Sequence, residues 1–99
     1  MIRHIVLFTL TATSDTERAA DISGMQERLG ALVGVIPGLK AVTLKPDLGL
    51  IEGHWDVALV SEHDDNAALE AYQAHPAHLE AGAFIRSVTA DRATVDYEL

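Results

Sequence analysis

Apolar side chains change their spacing from segment to segment along this chain, and the spacing predicts the elements. Residues 2–10, IRHIVLFTL, are rich in β-branched and aromatic residues and run into the polar TATSD, which makes them a first strand. Side chains alternate across a strand, so Ile2, His4, Val6, Phe8 and Leu10 share one side while Ile5 and Leu7 take the other. Both sides are apolar. Ser14 and Glu17 then form a capping-box pair, and Ile22, Met25, Leu29 and Leu32 recur at three- and four-residue steps, predicting a helix over about residues 15–34. Gly24, Gly30 and Gly34 weaken it, at roughly 1 kcal/mol each against alanine in a helix interior, so its far end is expected to break early. The IPG at 36–38 ends it.

LKAVTLKP (39–46) reads as a second strand, stopped by Pro46 and the turn-forming PDLG. HWDVALVS (54–61) reads as a third, with Trp55, Val57 and Leu59 on one face and His54, Asp56, Ala58 and Val60 on the other. A hairpin with a long turn joins the two. Asp64 or Asp65 caps a second helix through NAALEAYQA, whose inner stripe includes Ala68, Leu69 and Tyr72. Pro76 pushes His75 out of helical geometry yet suits the first turn of a new short helix, PAHLEAGAF. SVTADRATVDYEL is a last strand, weakened in its middle by Asp91 and Arg92. With right-handed crossovers this order gives an α+β, ferredoxin-like βαββαβ domain over residues 1–99: helices on a four-stranded antiparallel sheet, without repeats.

Helices cover only one face of such a sheet. The first and third strands nevertheless offer Ile5, Leu7, Trp55, Val57 and Leu59 to one side and Val6, Phe8 and Val60 to the other. A second copy, packed sheet against sheet as a two-fold dimer, is the expected cover for the remaining face.

Composition narrows the function. Ninety-nine residues, 48% hydrophobic and 22% charged, suit one fully folded domain. Fifteen acidic against seven basic residues leave a formal charge of −8, and no Lys/Arg cluster offers a phosphate-binding stripe, which argues against nucleic acid and anionic membranes as partners. The absence of cysteine rules out a disulfide framework and a thiolate zinc site. Met1 to Leu10 lack the cleavage site of a secretory signal, and no run approaches the roughly 20 apolar residues of a membrane span, so a soluble cytoplasmic protein is expected.

The candidate chemistry gathers at AYQAHPAHLE (71–80), a tyrosine and two histidines around a proline. His4 shares its strand face with Val6 and Phe8, and Tyr72 lies on the inner stripe of the second helix, so the helix-covered side of the sheet is expected to hold polar groups in an apolar pocket. A neutral histidine with a pKa of about 6.5 accepts a proton near neutrality, and a tyrosine of pKa about 10 donates a hydrogen bond to a carbonyl oxygen. His78 as general base and Tyr72 as polarising donor would enolise or cyclise a carbonyl compound without a cofactor. Each residue also has a structural reading. Tyr72 can bury its ring and tie its hydroxyl to the backbone, His75 can cap a helix end as readily as meet a ligand, and His4 and Asp56 can satisfy one another. His54 and His63 sit at element ends and read as surface residues. His4, Asp56, His75 and His78 are donors of the type metals take, but His75 and His78 straddle a proline instead of lying four apart on one helix, and no metal site is assigned.

IRHIVLFTL at the start, IPG after the first helix, YQAHPAH and the closing VDYE together resemble the stress-responsive A/B barrel domain family, also called Dabb, over essentially the whole chain and in order. The resemblance implies a homodimeric α+β barrel in a family most of whose members have no assigned activity. A few members are polyketide cyclases, including the plant olivetolic acid cyclase, in which a Tyr/His pair is assigned acid–base chemistry in a pocket between sheet and helices. The matching positions here are Tyr72 and His78, with His4 matching a pocket-lining strand histidine. Asp56 stands where the cyclase has another pocket histidine, and Met25 and Leu29 stand on the first helix where aromatic residues shape the cyclase pocket. Three functions follow as expectations: a dimer binding a small organic ligand with cofactor-independent, cyclase-like chemistry; a non-catalytic stress protein whose stable barrel or assembly is the function; or a cofactorless monooxygenase of the related dimeric barrels.

Overall fold

The computed structural model describes residues 1–99 as β1 (Ile2–Leu10), α1 (Asp15–Gly30), β2 (Leu39–Pro46), β3 (Val57–His63), α2 (Asn66–Ala74), α3 (Pro76–Val88) and β4 (Thr89–Glu98). The strands form one antiparallel sheet in the order β2-β3-β1-β4, the ferredoxin-like βαββαβ arrangement with its second helical segment divided in two. No helix is long and apolar enough to cross a membrane.

Local chemistry explains most boundaries. Ser14 caps α1 by accepting the Glu17 N–H at 3.1 Å, and Asp65, of the two candidate caps, starts α2 by accepting the Ala68 N–H at 2.8 Å. The first helix stops at Gly30, short of the expected 34, where Ala31 caps it and a run of turns follows, with Gly34 in the left-handed region at φ 86°. Gly24, inside the helix, makes room for a neighbour: a Cβ there would come within 2.7 Å of Phe84 Cζ on α3. α3 itself runs to Val88, one turn beyond the short helix the sequence suggests.

The third strand begins at Val57, not at His54, and continues to His63. Gly53, at φ 88°, still belongs to the connection, and Asp56 closes it. The Asp56 N–H donates to the Phe8 carbonyl at 2.9 Å, its own carbonyl accepts the Asp47 N–H at 2.8 Å, and its carboxylate accepts the Leu10 N–H at 2.7 Å. At the other end, pairing of His63 with both Ile2 and Leu39 carries the strand past Ser61.

Strand register corrects the expected division of faces. Opposite Val6 lies Leu59, opposite Phe8 lies Val57, opposite His4 lies Ser61 and opposite Ile2 lies His63. Directly opposed residues of an antiparallel pair share a face. Val57 and Leu59 therefore join Val6 and Phe8 beneath the helices, and Ile5 and Leu7 oppose Val60 and Ala58 on the uncovered side. Alternation within each strand was legible, but only the register relates one strand to the next, and a one-residue slip exchanges the faces. The helix-covered side holds a core of sixteen buried residues, in which Met25 and Leu29 of α1, Leu69 and Tyr72 of α2 and Ile85 of α3 pack on the sheet. Across the uncovered side Ile5, Leu7 and Val60 are half-buried and Val95 is 61% exposed.

Candidate functional site

The site grows from three polar side chains on the covered face of the central strands and two on the broken helix. His4, Ser61 and His63 follow the inward parity of β1 and β3 and are all buried. Burial obliges each polar atom to find a partner. His4 Nδ1 pairs with Asp96, the residue directly opposite on β4. His63 Nε2 lies 2.8 Å from Ser61 Oγ.

Pro76 does for the helix what its ring dictates: His75 takes an extended backbone (φ −66°, ψ 135°) and its Nδ1 accepts the Ala77 N–H at 3.1 Å, capping α3. The redirected α3 brings His78 against Tyr72, ring centroids 4.3 Å apart, and Tyr72 in turn lies 4.6 Å from His63, which is 6.2 Å from His4. Four rings thus form a continuous series, His4, His63, Tyr72, His78. Three buried polar atoms in it have no protein partner: His63 Nδ1, the Tyr72 hydroxyl and His78 Nδ1.

Burial sets the protonation of this series. It pushes the proton affinity of His63 down, with nearby His4 adding to the effect, and likewise lowers that of His78, so both imidazoles favour the neutral, proton-accepting form. The same loss of solvent pushes the Tyr72 hydroxyl up to about 12, which keeps it a donor at every physiological pH.

Beside the series lies a cavity of about 860 Å³ between the sheet, α1, α3 and β4. Val6, Phe8 and Leu59 form its floor on the sheet, Leu29 and Ile85 its helical sides, and His4 and His78 present imidazoles to it. Of the residues expected to meet a ligand, the structure thus brings His4, Val6, Phe8, Leu29 and His78 together in the lining of one cavity. Tyr72 is fully buried behind His78, and Met25 is fully buried in the core. Asp56 is engaged with the β1 backbone, and His75 with the start of α3; neither reaches the cavity. His54 is exposed as expected, beside Asp47 at 3.1 Å. His63, expected at the surface, is fully buried instead. The signal for it was the inward run Val57, Leu59, Ser61, which reaches His63 two residues further on, hidden by the acidic Asp64 and Asp65 that follow.

Fold and site together define a ferredoxin-like domain with an imidazole-walled cavity between sheet and helices. The sequence profile of the stress responsive A/B barrel domain matches residues 2–99, and the chain belongs to that family. No curated protein sequence matches it. Among solved structures it is similar to a dimeric ferredoxin-like protein of unknown function from Bacteroides fragilis, 30% identical, with a TM-score of 0.85 and coverage of 99% of this chain and 95% of the other. A dimeric ferredoxin-like protein of unknown function from Thermobifida fusca is 37% identical, with a TM-score of 0.82 over 99% of this chain and 90% of the other. The hydroxynitrile lyase of Passiflora edulis shares the fold, at 19% identity and a TM-score of 0.77 over 97% of this chain and 90% of that one.

Proposed function

We propose that this protein is a homodimer that binds a small carbonyl compound in the cavity and moves a proton on it without a cofactor, with His78 as general base. One observation carries the reading: His78 lines a cavity large enough for an organic ligand, and its burial, which outweighs the opposing pull of the Gln73 backbone, favours the neutral imidazole. A base whose proton affinity lies near the working pH combines availability with driving force. Tyr72 is a positioning residue in this scheme, because its ring backs the imidazole from the buried side and does not itself line the cavity. His4, held by Asp96, supplies a second imidazole to the same cavity from the sheet. The open cavity supports ligand binding over a reading in which the barrel alone is the function. The dimer rests on the uncovered apolar sheet face and on the dimeric state of the solved relatives.

Exchange of the methyl protons of acetophenone in D2O, followed by NMR, tests the base. The protein should accelerate exchange above buffer, and His78→Ala should remove most of the acceleration with the melting temperature nearly unchanged. Exchange at the buffer rate with the wild-type protein sinks the proposal.

A further inference from the structure

The positive charges of this acidic chain are unevenly neutralised. Arg3 pairs with Glu62, Arg18 with Asp15 and Lys40 with Asp64, while the Arg28 guanidinium lies 3.7 Å over the Phe84 ring. Of the seven Lys and Arg residues, that leaves Lys45, Arg86 and Arg92 with neither a carboxylate partner nor an aromatic one. Arg86 and Arg92 both line the imidazole-walled cavity, one from α3 and one from β4. Gly82 allows the first of them its course: a Cβ on that glycine would come within 3.2 Å of Arg86 Nη1. Both guanidiniums lie near enough to His78 to add to the effect of burial on its proton affinity. Asp91 is the one carboxylate on the lining, so in a chain of net charge −8 the cavity carries more fixed positive than negative charge.

We infer that Arg86 and Arg92 make the cavity selective for an organic anion, so that the ligand bears a carboxylate beside its carbonyl group. Guanidinium is suited to this, since it is always charged, weakly hydrated and presents paired donors that match a carboxylate. Arg86 and Arg92 are exposed whereas His4 is buried and His78 half-buried, so an anionic group held by the arginines lies toward solvent and leaves the carbonyl toward the imidazoles. The inference rests on the proposed ligand-binding role of the same cavity and adds the charge class of what enters it.

Two probes of one shape separate the ideas: 4-acetylbenzoate and its methyl ester, titrated into the intact protein and followed by the imidazole and arginine side-chain NMR signals. The acid should bind about tenfold or more tightly than the ester, in keeping with the gain of a charge-assisted bond. Arg86→Gln combined with Arg92→Gln should collapse that ratio toward one while the ester's affinity holds. Raised salt should weaken the acid alone. Equal binding of acid and ester at the His4 and His78 signals, or acid binding untouched by the double substitution, overturns the anion selectivity and leaves the cavity as a ligand site. If neither probe moves those signals, the ligand-binding proposal falls with it.

Discussion

His63 lies against Tyr72 with ring centroids 4.6 Å apart and planes tilted by 59°, and neither residue is exposed to solvent. A buried imidazole beside a buried phenol makes stability a function of pH at both extremes. Unfolding returns His63 and His78 to water, where they take up protons near the ordinary value of about 6.5, whereas the folded protein holds them neutral to lower pH. Below about pH 6.5 the unfolded chain therefore binds more protons, and stability must fall as pH falls. For Tyr72 the sign reverses: the folded state keeps its proton up to about 12, so stability is lost as pH rises from about 10. Urea unfolding measured between about pH 7 and 5 should show the acid loss, and His63→Phe should make it smaller. An unchanged dependence in that variant would mean that His63 is already accessible to protons in the native state.

Gly24 and Gly30 should answer to alanine with opposite signs. Helix propensity favours Ala over Gly by about 1 kcal/mol in a helix interior such as Gly24, and by less at Gly30, the last residue of α1. At Gly30 an added Cβ meets nothing within 4 Å, so Gly30→Ala should stabilise by less than about 1 kcal/mol. At Gly24 it would collide with the Phe84 ring, which also carries Arg28, so Gly24→Ala should destabilise by about 1–2 kcal/mol through overpacking. Denaturation midpoints of the two variants check this, and a stabilised Gly24→Ala would show that α1 and α3 separate more easily than their packing implies.

Val95 offers a clean test of self-association. It is exposed on the uncovered sheet face, paired with Ile5 across the strands, so Val95→Glu disturbs no core contact of the single chain. In a sheet-to-sheet dimer the same change buries two like charges, and a buried unpaired charge costs several kcal/mol. Light scattering after size exclusion should find the variant monomeric with its secondary structure intact. A variant still dimeric places the interface elsewhere.

How much of this was legible in the sequence depends on whether a feature is local. Strand and helix order, the Ser14 and Asp65 caps and the break at Pro76 follow from neighbouring residues, and the structure has them. What could not be read was long-range. The joining of Val57 and Leu59 to the face of Val6 and Phe8 depends on register between strands about fifty residues apart in sequence. So does the burial of His63, which its pairing with Ile2 and Leu39 carries inward. The helical stripe places Tyr72 inward, and the residue is fully buried, but a stripe says nothing about whether a side chain ends at a cavity or behind another ring. Arg86 and Arg92 are not legible as site residues, because a charged residue on a short helix and one in the middle of a weak strand ordinarily face water, and only the fold brings both to one hollow.

An unbroken α-helix advances about 100° per residue, so side chains six positions apart emerge about 120° from one another around its axis. Tyr72 and His78 have that separation, and on a single straight rod they would look in different directions. The proline between them resets the azimuth: α2 ends, α3 starts afresh from the His75 cap, and the two rings meet with centroids 4.3 Å apart and planes tilted by 48°. An alanine at position 76 that fused the two rods would thus uncouple the pair without altering either member of it.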